Sequence, residues 1–298
     1  MLLKASAHLE SGRTSMARTT TKARSASGRG ASAAAEDPIN KLTLRRPSRH
    51  GGFGWARDLP DTRDFLYSAP LQKSGLPKSI DLRPQCPPIY DQGQLGSCTG
   101  NGIAAVVEFD QRKQGVKEFV PSRLFIYYNE RVIENTVNQD AGAQIRDGIK
   151  VVATLGAPPE TDWPYDITKF AKKPPTRAYA DAKKDLVKQY ARVAQSITQM
   201  EGCLADGFPF VFGFTVYNSF EGPQVAQTGI VPMPTSTDTV VGGHCVVAVG
   251  YDSVKRMFII RNSWGTSWGM KGYCMMPYEY LVSTHLASDF WTVRSVGP

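Results

Sequence analysis

Continuous hydrophobicity is what this 298-residue chain has least of. Its longest apolar stretches, Phe208 to Tyr217 and Cys245 to Gly250, fall far short of the roughly 18 residues a membrane-crossing helix needs. Residues 1–50 hold no apolar run of about 7 to 15 residues, so no Sec-type signal peptide is expected there. The protein is therefore read as soluble, either cytoplasmic or exported by a non-Sec route. CxxC spacing is also missing: Cys86, Cys98, Cys203, Cys245 and Cys274 are scattered, which argues against a zinc site and against a disulfide-dense scaffold. No metal and no cofactor is expected, and an odd number of cysteines leaves at least one thiol unpaired.

Acidic residues are scarce at one end. Residues 1–50 carry ten Lys and Arg against three Asp and Glu, so about +7 of the formal +8 lies there. The same stretch has no aromatic side chain, and its Ser, Ala, Thr and Gly cannot bury enough apolar surface to offset ordering. A disordered basic tail gives unspecific, salt-dependent attraction to phosphate at most, and no specific nucleic-acid partner is expected. Residues 51–75 differ. Phe53, Trp55, Leu59, Phe65, Leu66, Tyr67 and Leu71 return apolar mass among Gly, Pro and Asp, so this piece is expected to dock as a pro-region or a surface strap.

From Leu76 to the end the chain reads as one compact domain, expected to be monomeric. Apolar spacing predicts helices over Gly100–Gln114, Pro121–Glu134 and Ala143–Leu155, with a short one near Gln199–Ala205. Short β-rich runs follow at Ala191–Gln195, Phe208–Tyr217, His244–Tyr251, Arg256–Arg261, Gly272–Met276 and Asp289–Val293. The pattern is α+β, with a helical lobe over about 88–188, a β lobe over about 189–298 and a cleft between them.

The chemistry starts in Asp91-Gln92-Gly93-Gln94-Leu95-Gly96-Ser97-Cys98, a Gly-rich loop entering a helix. A thiol at a helix start meets the positive end of the helix dipole and free amides, which favour the thiolate. A thiolate needs a proton-handling partner. Of the four histidines, His8 and His50 lie in the tail and His285 near the end, whereas His244 opens an apolar strand after Gly242-Gly243. A third segment, Arg261-Asn262-Ser263-Trp264-Gly265-Thr266-Ser267-Trp268-Gly269, follows. Its Gly265-Thr266-Ser267-Trp268-Gly269 also fits the elbow of serine hydrolases, but a β-like run and not a helix comes next, so Ser267 is read as a turn residue.

Taken together, the Gln92-to-Cys98 loop, the Gly-His strand start and the Asn-Ser-Trp-Gly run resemble the papain family of cysteine peptidases over about residues 76–298. The resemblance implies a two-lobe fold, with a helical left lobe and an antiparallel β-barrel-like right lobe. It implies Cys98 as nucleophile, His244 as its proton partner, Asn262 holding the imidazole, and Gln92 donating to the oxyanion beside the Cys98 N–H. It also implies Trp264 as a roof over the histidine, and Gly142, Ala143 and Gly243 as walls of the substrate cleft, with a preference for apolar side chains. Leu95 and Thr99 depart from the family, standing where a disulfide cysteine and an aromatic residue are common. No ERFNIN-type propeptide helix is visible. The expected activity is peptide-bond hydrolysis through an acyl-enzyme on a peptide or protein substrate. Two readings stay open beside it: a catalytically silent fold that binds peptides in its cleft, and a tail-driven adhesion protein. Residues Phe65, Leu66, Tyr67, Ser68, Ala69 and Pro70 are expected in or beside the cleft as an autoinhibitory piece.

Overall fold

The computed structural model of the protein describes residues 52–69 and 75–297. Its helices are α1 (Cys98–Gln114), α2 (Arg123–Ile133), α3 (Ile145–Thr154), α4 (Thr176–Ala182), α5 (Ile197–Ala205), α6 (Pro223–Thr228) and α7 (Tyr278–Val282). Its strands are β1 (Trp55–Ala56), β2 (Ser79–Asp81), β3 (Ala143–Gln144), β4 (Leu186–Arg192), β5 (Phe210–Tyr217), β6 (Val240–Asp252), β7 (Met257–Arg261), β8 (Tyr273–Pro277) and β9 (Ala287–Gly297). This is the α+β, two-lobe arrangement the sequence implies: helices first, then an antiparallel sheet. The right lobe, expected to be barrel-like, is an antiparallel sheet that does not close into a barrel. Its order is β4-β9-β5-β6-β7-β8, with β2 on the free stretch of β6, and β8 does not return to β4.

Helix α1 sits at the centre, packed on α2 and α3 to one side and on β6 and β9 to the other. Every residue from Cys98 to Gln111 is buried, which is why α1 lacks the clean polar face of a surface helix. It stops at Gly115, whose left-handed backbone (φ +65°) ends the turn. Ser122 caps α2 by accepting from the Phe125 N–H (3.2 Å). Strand β5 is buried from Phe210 to Val216, as its mostly apolar run predicts. Phe212 stacks on Phe290 of β9 at 5.4 Å between centroids.

Several elements differ from the sequence expectation: the short α6, α7, β1, β2 and β3 were not expected, and β6 starts at Val240, four residues before His244. Strand β4 starts at Leu186 and ends at Arg192, upstream of the expected Ala191–Gln195, because Lys188 and Gln189 are exposed on the sheet edge and leave no apolar run to read. Helix α4 was not expected, since it buries only Ala178 and Ala182. No helix among the described residues is long and apolar enough to cross a membrane.

One polar group lies deep between α1 and α2. Burial pushes the Glu130 carboxyl up to about 8, against the hydrogen bond that Thr99 Oγ1 donates to it (2.7 Å). A carboxyl whose folded pKa is raised contributes stability that is complete below its ordinary pKa and lost as pH rises through about 8. Glu130→Gln is expected to keep stability within about 1 kcal/mol at pH 6 and to flatten that alkaline loss, whereas Glu130→Ala strands Thr99 and costs about 2–4 kcal/mol. Urea titrations from pH 5 to 9 read both.

Candidate active site

Cys98 is the first residue of α1, and its loop is fastened from several directions. Asn101 Nδ2 donates back to the Ser97 carbonyl (2.9 Å), while Arg123 donates to both Asn101 Oδ1 and the Asp91 carbonyl (3.2 Å each). The Tyr165 hydroxyl donates to the Gln92 carbonyl (2.9 Å). Packing and hydrogen bonds therefore do here what a disulfide at Leu95 would do, and all five cysteines carry free thiols.

His244 lies on β6 beside the start of α1. Its Nε2 is 2.8 Å from Asn262 Oδ1. With Nε2–H donating to that oxygen, Nδ1 keeps its lone pair, and among the described residues it has no hydrogen-bond partner. Trp264 stacks on the imidazole (4.8 Å, 26° between planes) and covers the His244–Asn262 pair, while Phe214 meets the ring edge-on at 5.8 Å. Gln92 is held by Ser263, whose hydroxyl donates to Oε1 (2.6 Å) and whose carbonyl accepts from the Gln92 N–H (2.9 Å). Its Nε2 also donates to the Leu95 carbonyl of the same loop (2.9 Å).

The cleft is occupied by the chain's own N-terminal segment. Gln92 Nε2 donates to the Gly52 carbonyl (2.9 Å), and the Gly54 N–H donates to the Gly243 carbonyl (3.1 Å). The Ala143 N–H donates to the Gly54 carbonyl (2.7 Å), and Trp55–Ala56 form a parallel ladder with Ala143–Gln144. Gly142 takes a left-handed φ of +73°, and a Cβ on it would lie 2.6 Å from the Gly54 Cα, so backbone passes backbone with no room for a side chain. Gly142 is held there by the Tyr127 hydroxyl, which accepts from its N–H (3.1 Å) and donates to Asp140, the carboxylate that also takes the Gly96 N–H.

Covering the cleft changes its electrostatics. Cys98 and His244 are both fully buried. Burial pushes the Cys98 thiol up to about 12, although backbone amides of Cys245, Gly54 and Thr99 pull the other way. Burial likewise pushes the His244 imidazole down to about 4, against the Asn262 hydrogen bond. The helix-start expectation of an easily ionised thiol is thus overridden in this state, because desolvation outweighs the amides.

The family description "Papain family cysteine protease" matches residues 76–290, which hold the whole of this constellation. The chain belongs to the papain family. Among relatives, it is 43% identical over 270 residues to an uncharacterized peptidase C1-like protein of Acanthamoeba polyphaga mimivirus, covering 82% of this chain and 87% of that one. It is 27% identical over 234 residues to cysteine proteinase 3 of Entamoeba histolytica, covering 76% and 70%. Among solved structures, xylellain, a cysteine protease from Xylella fastidiosa, is 47% identical with a TM-score of 0.78, covering 85% of this chain and 98% of that one. This papain-family chain is a cysteine-type peptidase.

The structure brings together Cys98, His244, Asn262, Gln92, Trp264, Gly142, Ala143 and Gly243. It does not bring Phe65–Ala69 to them, and Pro70 lies outside the described residues. Leu66 bridges to Arg192 on β4, Phe65 meets Tyr190 edge-on at 6.2 Å, and the Ala69 N–H donates to Gln199 of α5 (2.8 Å). Tyr67 packs inward and Ser68 is exposed. Two strands, β9 and β5, separate β4 from His244 on β6. The segment in the cleft is Gly52–Ala56 instead, and Asp58 and Asp64 fasten it: Arg146 makes a two-pronged ion pair with Asp64 (2.6 Å), and Arg192 reaches Asp64 (3.1 Å). Sequence reasoning also missed Ser263, Tyr127, Asp140 and Tyr165, whose roles depend on pairings across 13 to 171 residues.

Proposed function

We propose that the chain is a peptidase made in a latent form, in which residues 52–56 occupy the cleft and their departure allows Cys98 and His244 to react. The observation that carries this reading is that Gly52–Trp55 take up the hydrogen-bonding groups a substrate backbone needs: the Gln92 amide, the Gly243 carbonyl and the Ala143 N–H.

With the segment gone, water re-enters, and the buried neutral pair gives way to thiolate and imidazolium. The thiolate attacks a peptide carbonyl and forms an S–C bond. The developing oxyanion receives hydrogen bonds from Gln92 Nε2 and the Cys98 N–H, donors of a kind typically worth about 2.7–4 kcal/mol each. The imidazolium gives its Nδ1 proton to the leaving amine as the C–N bond breaks. A water then attacks the thioester, its proton returns to His244, and the S–C bond breaks to release the acid. Asn262 keeps Nδ1 facing the sulfur by holding Nε2, and Trp264 excludes water from that hydrogen bond.

The test is intact-mass labelling with an epoxide that targets papain-type thiols, on three full-length proteins: wild type, Cys98→Ala and Trp55→Ala/Asp64→Ala. The expected result is slow labelling of wild type, fast labelling of the double variant and none of Cys98→Ala. Equal rates in the first and third proteins would remove the latent form. Absence of Cys98-dependent label in both would favour a silent, peptide-binding fold.

A further inference from the structure

The side chain of Trp55 packs into the domain against glycines of β5 and β6 and reaches Asp289 of β9. Its indole lies across the face of the paired strands β5 and β6, against Gly213 and Gly243. A Cβ on Gly243 would stand 2.9 Å from the indole ring, and one on Gly213 would fall inside it. At the far end Trp55 Nε1 donates to Asp289 Oδ2 (3.1 Å). Trp55 is 3% exposed and Asp289 1%.

The accounting at Asp289 is asymmetric. Oδ1 is bound by Arg192 of β4 (2.9 Å), a partner that stays with the domain. Oδ2 takes its hydrogen bonds from Trp55 Nε1 and from the Asp58 N–H (2.9 Å), and both donors belong to the N-terminal segment. When that segment leaves, a buried carboxylate oxygen faces the vacated slot with neither donor. Asp289 also holds a left-handed backbone (φ +61°) inside β9, a conformation that is uncommon for a side-chain-bearing residue and clusters at functional positions.

We propose that this slot is a side-chain subsite of the peptidase and that Asp289 makes it selective for a flat ring with an N–H at its far edge, tryptophan foremost. The inference rests on the latent-peptidase reading above, because it takes Trp55 as the stand-in for a substrate side chain. A carboxylate oxygen left unpaired in a closed site penalises any ring that brings no donor, which is how a hydrogen-bonding site rejects an isostere lacking the polar group. An arginine is disfavoured although it carries donors. Arg192 already neutralises Asp289, and a second guanidinium would meet that charge in a confined space. The preference therefore departs from the plain apolar one that the family resemblance implies.

Four peptides, identical except for tryptophan, 2-naphthylalanine, phenylalanine or arginine at the slot position, would be given to full-length Trp55→Ala/Asp64→Ala protein and kcat/KM measured. The expected order puts tryptophan at least about tenfold above naphthylalanine, which fills the same space without the N–H. Adding Asp289→Ala should bring that ratio close to one. The tryptophan to naphthylalanine comparison needs no change at Asp289, so a poorly folding Asp289 variant does not blunt the test. Equal turnover of those two peptides, or arginine ranked first, overturns the subsite while leaving the latent peptidase standing. If none of the four is cleaved in a Cys98-dependent way, the latent-peptidase reading fails and the subsite with it.

Discussion

Full-length protein carrying Trp55→Ala and Asp64→Ala is expected to cleave peptides on the order of 100-fold faster than wild type at subsaturating substrate. Truncating a buried Trp costs about 3–5 kcal/mol where the site cannot collapse. Here that cost falls on the covered state alone, and every 1.4 kcal/mol is about a factor of ten in the open fraction. Asp64→Ala removes the two-pronged pair with Arg146 as well. The gain ends when the cleft is fully open, so a smaller rise sets a bound on how closed wild type is. No rise at all would mean that Gly52–Ala56 do not limit access.

The gain should also depend on pH, with signs set by three groups. Covering raises the Cys98 thiol to about 12, so the covered state is favoured below the open-state thiol pKa and weakened as pH rises through that range. Covering lowers His244 to about 4, so closure is complete above the open-state imidazole pKa and is lost as pH falls towards 4. Asp58 is pushed up to about 7, first by burial and then by Asp289, against hydrogen bonds from Trp291 and the Arg146 backbone and against the Arg146 charge. Its contribution to closure is full below the ordinary carboxylate pKa and fades as pH passes about 7. Wild-type labelling rates measured from pH 4 to 9 should therefore be lowest in the mildly acidic range. A rate lowest at pH 9 would contradict the assignment of Asp58.

In the opened background, Cys98→Ala is expected to remove turnover by on the order of 10⁴-fold or more, and His244→Ala by a similar amount. The double variant should be no worse than either single one, because nucleophile and proton carrier act as a unit. Asn262→Ala should cost less, since it frees the ring without deleting it. Retention of more than about a hundredth of the activity in Cys98→Ala would point to another nucleophile. The buried Cys245, next in sequence to His244, is then the residue to replace.

Much of the site was legible because its parts are local signatures. A Gly-rich loop before a helix, a Gly-Gly-His stretch, which the structure places inside β6 and not at its start, and an Asn-Ser-Trp-Gly turn each specify backbone shape along with side-chain chemistry. The location of the segment that lies in the cleft was not. Apolar mass among prolines pointed to Phe65–Pro70, but a cleft lined by the Gly96 and Gly142 backbones admits only a thin chain. The signal for that is Gly52-Phe53-Gly54-Trp55, where glycines alternate with rings. A Cβ on Gly54 would lie 2.8 Å from the Gly96 Cα. The Ser263–Gln92 and Tyr127–Asp140 supports left no trace in spacing, because hydrogen bonds across the fold obey no sequence period.

In the latent form proposed above, a compound aimed at the cleft competes with Gly52–Ala56, whose local concentration does not fall on dilution because they are tethered to the domain. Short flexible tethers commonly hold their ends at millimolar effective concentration. The apparent affinity of any such compound is weakened by the fraction of molecules that are open. Inhibitor screens on the intact chain will therefore rank compounds partly by how patiently they wait, and slow covalent reagents will look better than tight reversible ones of equal intrinsic strength.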